Sequence, residues 1–392
     1  MERRMLFSLA CALFCSSELT HGISYFEEKN NYNNTEENRV VFAVGGNVYP
    51  DGHFYAVVHI GPQLKTYFLD LDTGSDLTWV QCDAPCVHCR PAPHPLYKPI
   101  NRMSCNEPLC DLVEHPRQHP CHNPADECHY QVKYVDGGSS TGFLTLDTFL
   151  VGSQARHPLV NPLIFGCGYD QRVGSESHSP YVDGVLGLSS SQLSILSQLR
   201  NKGGVARNVI GHCLLDHIRR GDADGFLFFG DGALPPSLQW VPMSPPYERL
   251  QLILDSGSTF TYFNSHALEA VVTLINKDAA ESALKPAPED KTLPYCWKGR
   301  APFRYMAEVE RFFKPLALRF PNAANVEMEM PAKSHLIISS HGNACLGILN
   351  GTEIGLGDQN IIGDISFRER LVVYDNESKR IGWTFRDCKR QL

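Results

Sequence analysis

The chain has 392 residues, of which 43% are hydrophobic and 20% are charged, a balance typical of a globular protein and not of a disordered one. This length exceeds what one ordinary hydrophobic core needs and fits two. The formal net charge of −8 gives no electrostatic reason to expect a nucleic-acid partner or an anionic membrane surface.

The first residues have the layout of a secretory signal peptide. Arg3 and Arg4 precede an apolar run from Met5 to Phe14, which is followed by small and polar residues. The run is too short to span a bilayer, and no later stretch approaches membrane-spanning length. We therefore predict a signal peptide over residues 1–22, entry into the secretory pathway and no membrane anchor.

Secretion determines how the 14 cysteines are interpreted. Cys11 and Cys15 would leave with the signal peptide, so twelve cysteines would enter an oxidising compartment, where up to six disulfides are expected. Asn-x-Ser/Thr sequences at Asn33, Asn350 and Asn376 are candidate glycosylation sites of the same pathway.

After a predicted leader or pro-segment over residues 23–47, short runs rich in β-branched and aromatic residues alternate with Gly and Pro, which favours a mainly β fold. Only two segments have clear helical periodicity. The predicted elements are strands at His53–Ile60 and Thr66–Leu71 and helices at Gln192–Asn201 and Ser265–Asn276.

An internal repeat organises the rest of the chain. Each copy has an apolar strand, an Asp-(Thr/Ser)-Gly-Ser turn and, at nearly the same distance beyond, a second apolar strand that contains Gly. The turns are Asp72–Ser75 and Asp255–Ser258, and the later strands are Asp183–Leu188 and Asn360–Asp364. The repeat predicts two related lobes, residues 48–220 and 221–392, joined near residues 216–224.

Such a turn suits an acid–base site. The Gly lets the chain turn sharply and brings its N–H to the carboxylate, and the Ser can hold the side-chain rotamer. Two facing turns would place Asp72 and Asp255 so close that both cannot be ionised, and they would share one proton. Such a pair can activate a water molecule for hydrolysis. This chemistry requires no metal and no cofactor.

The sequence resembles the pepsin-type aspartic proteases, and closely the plant nucellin-like branch, from about Val40 to the C-terminus. The segments that carry the resemblance include Phe68–Cys86, Phe165–Gln171, Gly225–Asp231 and Asp255–Phe263. The resemblance implies a mainly β, bilobal, pepsin-like double β-barrel with the active-site cleft between the lobes. It also implies a monomeric endopeptidase that cleaves extended peptides at acidic pH, in the apoplast or another extracellular space, or in the vacuole.

The resemblance also assigns roles to individual residues. Asp72 and Asp255 match the catalytic pair, and their loops match the supporting positions Thr73, Gly74, Ser75, Ser256, Gly257 and Ser258. The hydroxyls of Thr73 and Ser256 are expected to brace the two loops against each other. A flap hairpin containing Tyr134 and Gly137 should cover the substrate, with Tyr134 held by the ring N–H of Trp79. A disulfide between Cys296 and Cys345 is implied as well.

The sequence leaves two alternatives open, and the first is a metal site. Cys82, Cys86 and Cys89 have the spacing of iron–sulfur ligands, and His88 and His94 could suggest zinc, although secretion argues against both.

A pepsin-fold protein without activity, such as a splice variant or an inhibitor of glycoside hydrolases, is the second alternative. It is favoured by one departure from the family pattern, since a hairpin usual before the second Asp loop is missing ahead of Asp255.

Overall fold

The computed structural model describes residues 39–389 except 85, 90, 152–158, 173–181, 217–224, 231, 233, 245–251, 283, 321 and 324–325. Strands dominate this part of the chain and helices are few, so the predicted mainly β, bilobal, pepsin-like fold is confirmed. The predicted signal peptide, most of the predicted leader and Asn33 lie outside the described residues.

The strands are short, as the frequent Gly and Pro residues predict. In chain order they are β1 (Val40–Asn47), β2 (His53–Ile60), β3 (Lys65–Asp72), β4 (Trp79–Gln81), β5 (His129–Lys133), β6 (Ser139–Val151), β7 (Leu159–Arg172), β8 (Gly184–Gly187), β9 (Val209–Cys213), β10 (Gly225–Phe229), β11 (Gln239–Pro242), β12 (Leu252–Leu254), β13 (Thr261–Phe263), β14 (Lys285–Pro286), β15 (Cys296–Lys298), β16 (Leu316–Arg319), β17 (Glu327–Met330), β18 (Leu336–Ile338), β19 (Ala344–Leu346), β20 (Ile348–Asn350), β21 (Asn360–Ile362), β22 (Arg370–Asp375) and β23 (Arg380–Phe385). The helices are α1 (Ile195–Asn201), α2 (Ser265–Glu281), α3 (Met306–Glu310) and α4 (Asp364–Phe367), with 3₁₀ turns at Pro108–Leu112 and Ala332–Ser334.

One sheet of thirteen strands runs through the molecule in the order β11-β23-β22-β9-β10-β1-β2-β3-β8-β4-β7-β6-β5. Strands β9, β10 and β22 in its middle are buried along their whole length, because the sheet is covered on both faces there. The predicted junction at residues 216–224 falls between β9 and β10, so the two lobes meet in a shared sheet. Strand β1 pairs with both β2 and β10, so the folded region includes Val40–Asn47, which the sequence places in the leader.

The internal repeat is a repeat of sheet topology. In the first lobe the order β3-β8-β4-β7 has parallel pairs β3·β8 and β4·β7 around an antiparallel contact of β4 with β8. The second lobe repeats the same order and the same directions as β12-β21-β13-β20. This topology places Asp72 opposite Gly187 in β8, and it places Asp255 N within hydrogen-bonding distance of Ile362 O, next to Gly363.

The two copies differ at the outer edge of the Asp-bearing strand. Strand β3 also pairs with β2 over six residues, so the two predicted strands form a hairpin around Gly61. Among the described residues, β12 pairs only with β21, and residues 245–251 ahead of it are not described. The hairpin that the family pattern places here has no counterpart in the described part of the second lobe.

Both predicted helices form, with shifted ends. Ser194 caps α1 by accepting a hydrogen bond from Ser197 N, so α1 starts after the predicted Gln192. Asn264 caps α2 in the same way, and the buried side chains of α2 continue past Asn276 to Ala279. This apolar face extends α2 to Glu281, one turn beyond the prediction.

Six disulfides use all twelve cysteines of the predicted mature chain, which confirms the expectation of a disulfide-rich protein. The pairs are Cys82–Cys167, Cys86–Cys89, Cys105–Cys121, Cys110–Cys128, Cys213–Cys388 and Cys296–Cys345. Within the described ranges, none of the helices combines the length and the apolar character needed to cross a bilayer.

Candidate active site

The two Asp loops begin where β3 and β12 end, and each folds around its own carboxylate. Gly74 N donates to Asp72 Oδ1 at 2.9 Å, and Gly257 N donates to Asp255 Oδ1 at the same distance. These charge-assisted bonds fix both side chains in the orientation that the sequence pattern predicts.

The loops approach each other so closely that both middle positions must be glycine. A Cβ atom added to Gly74 would lie 2.8 Å from Asp255 Oδ1, and one added to Gly257 would lie 2.5 Å from Asp72 Oδ1. Each loop therefore packs its glycine against the carboxylate of the other loop. The structure brings Asp72 and Asp255 together in this way, although 183 residues separate them in the chain.

The loops are held together by a reciprocal set of hydrogen bonds from Thr73 and Ser256. Ser256 N donates to Thr73 Oγ1 at 2.9 Å, and Thr73 N donates to Ser256 Oγ at 3.2 Å. Each hydroxyl in turn donates to a carbonyl of the opposite lobe, Thr73 Oγ1 to Leu254 and Ser256 Oγ to Leu71. All four polar groups are satisfied inside a buried interface, so this bracing fixes the distance between the carboxylates.

Removal of one hydroxyl from this brace should destabilise the protein. Thr73→Val keeps the side-chain shape but leaves Ser256 N without its buried acceptor, so we expect a loss of about 1–3 kcal/mol in the free energy of unfolding. Urea denaturation of the oxidised protein measures the loss. Thr73→Ser is the matched control, since it keeps the hydroxyl and should lose much less. Equal losses in the two variants would contradict the role of the hydroxyl.

The two serines at the fourth loop position differ. Ser258 Oγ donates to Asp255 Oδ2 at 2.9 Å. The buried Oγ of Ser75, by contrast, lies outside hydrogen-bonding geometry with any group in the described ranges. Burial raises the pKa of both carboxyls, and for Asp72 the charge of Asp255 raises it further. The pair therefore retains a proton at a pH where an exposed carboxyl has lost it.

A β-hairpin formed by β5 and β6 carries Tyr134 to this site. Tyr134 N donates to Gly138 O at 2.8 Å, and Gly137 adopts a φ of +86°, a conformation that favours glycine in such a tight turn. Trp79 Nε1 donates to Tyr134 OH at 2.6 Å. Burial raises the pKa of the Tyr134 phenol, and the charge of Asp72 raises it further.

Comparison with known proteins gives the family. Models described as the N-terminal and C-terminal parts of xylanase inhibitors match residues 54–231 and 241–384. An aspartic proteinase of rice (Oryza sativa subsp. japonica) is 38% identical over 384 residues, with 90% of this chain and 92% of the rice protein covered. The chain belongs to the plant pepsin-type aspartic protease family.

Other relatives agree with this assignment. Aspartic proteinase 36 of Arabidopsis thaliana is 26% identical and covers 87% of this chain and 75% of its own length. Two solved structures share the fold. Basic 7S globulin from soybean has a TM-score of 0.64 at 15% identity, covering 88% of this chain and 96% of its own. The aspartic proteinase from Irpex lacteus has a TM-score of 0.59 at 16% identity, with coverage of 90% and 98%.

This family member has two further carboxyl groups near the pair, that of the half-buried Asp70 and that of the buried Asp364, which the sequence reasoning did not single out as functional residues. Asp70 precedes Asp72 by two residues on β3, and Asp364 starts α4 and is only 1% exposed. The Oδ1 atom of each is buried without a hydrogen-bond partner in the described part of the chain. Burial raises the pKa of both well above 3.8, and neighbouring carboxyl charges raise it further. The sequence signal that could have identified Asp70 is its position, because it is an acidic residue inside the otherwise apolar strand Tyr67–Leu71.

The cysteines and histidines considered as metal ligands have other partners in this protease-family chain. Cys82 is joined to Cys167, and Cys86 is joined to Cys89. His88 Nδ1 lies 2.6 Å from Asp170 Oδ1, and His94 Nδ1 lies 2.7 Å from Asp183 Oδ2. These pairings leave no common ligand set for an iron–sulfur cluster or a zinc ion at this place.

The structure also describes the predicted disulfide and two of the three candidate glycosylation sites. Cys296 and Cys345 face each other on β15 and β19 and are joined, as the resemblance implies. Asn350 is half-buried and its amide donates to Glu353, whereas Asn376 is 9% exposed and its amide donates to Asn208. Glycosylation at Asn350 and Asn376 stays a prediction.

Proposed function

We propose that the protein is an aspartic-type endopeptidase that hydrolyses peptide bonds with a water molecule activated between Asp72 and Asp255. The observation that carries the proposal is the mutual packing of the two Asp loops, in which each glycine contacts the carboxylate of the opposite loop. The relatives named aspartic proteinases support the same reaction.

The chemistry follows from the shared proton. The ionised member of the pair takes a proton from the water as it attacks the peptide carbonyl, and the protonated member donates a hydrogen bond to the carbonyl oxygen. The nitrogen of the departing amine then receives a proton from the pair. The Thr73–Ser256 brace holds the carboxyls at a fixed separation throughout, so neither must reorganise during the reaction.

The pair acts only while one proton is bound, so cleavage should be fastest at acidic pH and should fall as the last proton leaves. The substrate we propose is a peptide in extended conformation, held beneath the Tyr134 hairpin as an added strand. The protein would act as a monomer in the secretory route, outside the cell or in the vacuole.

The hydrogen bond from Trp79 to Tyr134 should orient the flap. Trp79→Phe keeps an aromatic ring but removes the donor, so we expect kcat/KM to fall about 2- to 10-fold. Tyr134→Phe removes the acceptor and should cause a similar loss, and the double variant should lose little more than either single variant. Fully additive losses would show that the two residues act separately.

Cleavage of acid-denatured haemoglobin by the secreted protein, from pH 3 to pH 7 with and without pepstatin, tests the proposal. We expect acid-dependent cleavage that pepstatin blocks. No cleavage by protein that circular dichroism shows to be folded would overturn it.

A second function, inhibition of a glycoside hydrolase by binding, is favoured by the family models described as xylanase inhibitors and by the hairpin missing from the sequence ahead of Asp255. Dose-dependent loss of xylanase activity, together with no proteolysis, would establish this function in place of the first.

A further inference from the structure

The segment Cys86-Val-His-Cys89 has no role in the proposed hydrolysis, yet it has the C-x-x-C spacing that lowers thiol pKa in redox proteins. The structure joins the two cysteines across three positions of sequence, the shortest separation among the six disulfides. A disulfide that closes so short a loop restrains the unfolded chain least. The protein therefore stays folded when this disulfide is reduced.

This disulfide is also accessible. Cys86 and Cys89 are half-buried, and Val87 between them is 61% exposed. Four of the other disulfides have both cysteines buried, and only Cys105–Cys121 is similarly half-buried. A thiol in solution, or on another protein, can therefore reach the Cys86–Cys89 bond without unfolding the lobe.

A polar side chain with an unused donor lies beside this bond. Gln171 is 6% exposed, its Oε1 lies 3.4 Å from the Cys89 sulfur, and its Nε2 has no hydrogen-bond partner in the described part of the chain. Rotation of the amide by half a turn exchanges the two atoms and presents N–H to the sulfur. The oxidised form thus leaves a buried donor unsatisfied that a thiolate at Cys89 would satisfy.

Two further contacts keep the segment in place on β7. Val87 N donates to Tyr169 O at 2.7 Å, and His88 Nδ1 lies 2.6 Å from Asp170 Oδ1. The segment is thus fixed independently of its disulfide, along the part of β7 that pairs with the flap strand β6 at Ser140. After reduction of the Cys86–Cys89 bond, the two sulfurs would stay close together and could form the bond again.

We propose that Cys86–Cys89 is a thiol–disulfide exchange site whose co-reactant is a dithiol. A thiolate of the co-reactant attacks Cys86 Sγ, the Cys86–Cys89 bond breaks, and Cys89 leaves as a thiolate beside the Gln171 amide. The second thiol of the co-reactant attacks the mixed disulfide and releases Cys86. Two electrons pass to the protein, both cysteines take up protons, and the co-reactant becomes a disulfide.

The test measures each disulfide of the native, oxidised protein separately. The protein is equilibrated with graded ratios of reduced to oxidised dithiothreitol, free thiols are alkylated with iodoacetamide, and labelled peptides are quantified by mass spectrometry. We expect Cys86 and Cys89 to be labelled together at a ratio at least about tenfold lower than any other pair. Cys105–Cys121 is the internal control for exposure alone. Its opening at the same ratio, or opening of Cys86–Cys89 only together with the buried disulfides, would overturn the proposal.

Variants at Gln171 test the role of its amide. Gln171→Leu removes the donor, and Gln171→Glu replaces it with a carboxylate of nearly the same shape, which should oppose a thiolate more strongly. We expect both variants to require a higher dithiothreitol ratio, Gln171→Glu the more so. Gln131→Leu, on the nearby strand β5, is the matched control and should not shift the ratio. Unchanged reduction in Gln171→Glu would contradict this role.

Discussion

Asp72→Asn should fold like the unmodified protein and lose cleavage by a factor on the order of 10² to 10⁴, the usual contribution of acid–base catalysis. The amide keeps the size of the carboxyl and can still accept the hydrogen bond from Gly74 N. It can neither take a proton from water nor share one with Asp255. Asp255→Asn should lose as much, because the pair acts as one unit, and the double variant should lose little more.

The measurement is kcat/KM on a peptide substrate at the acidic optimum, with circular dichroism and urea denaturation as tests of folding. Asp358→Asn makes the same chemical change at an exposed position, and we expect it to leave kcat/KM unchanged. Cleavage at the unmodified rate by folded Asp72→Asn or Asp255→Asn would contradict the mechanism.

Asp70→Asn and Asp364→Asn should each stabilise the protein at neutral pH. The folded-state pKa of both carboxyls lies above the value of 3.8 expected in the unfolded chain, chiefly because of burial. Above pH 3.8 the unfolded chain loses these protons while the folded protein keeps them, so stability is highest in acid and falls as pH rises toward the raised pKa. An amide has no proton to lose, so each substitution should remove its share of this fall in stability between acidic and neutral pH.

Urea denaturation at pH 4 and pH 7 measures this effect, with the difference between the two pH values as the readout. Asp358→Asn again serves as the control and should show the same difference as the unmodified protein. A difference that Asp70→Asn and Asp364→Asn leave unchanged would show that these carboxyls are not held protonated by the fold.

Local sequence patterns predicted much of the site, since the turn chemistry of an Asp-(Thr/Ser)-Gly-Ser loop is contained in four consecutive residues. The repeat of these turns indicated two lobes, and the order β12-β21-β13-β20 repeats that of β3-β8-β4-β7. The strand His53–Ile60 has the predicted ends, because its alternating apolar residues and the following Gly61 are local signals.

Features that depend on distant parts of the chain could not be predicted in this way. Asp364 is near Asp70 only because the two lobes fold against each other, and burial together with the neighbouring carboxyl charges raises its pKa. Most disulfide partners were equally inaccessible, since spacing does not determine which of twelve cysteines pair. The shared sheet joins β1 to β10 and β9 to β22, pairings for which no local pattern exists.

That shared sheet sets a constraint on synthesis. Strand β1 cannot pair with β10 until β10 has been synthesised, about half the chain later. Strand β9 likewise cannot pair with β22 until that strand, near the C-terminus, has been synthesised. Non-local pairings of this kind slow folding because the loops must close before the contacts form. The middle of the sheet therefore closes only after β22 has been translated. Until then its apolar strands are exposed, and the nascent chain should depend on chaperones.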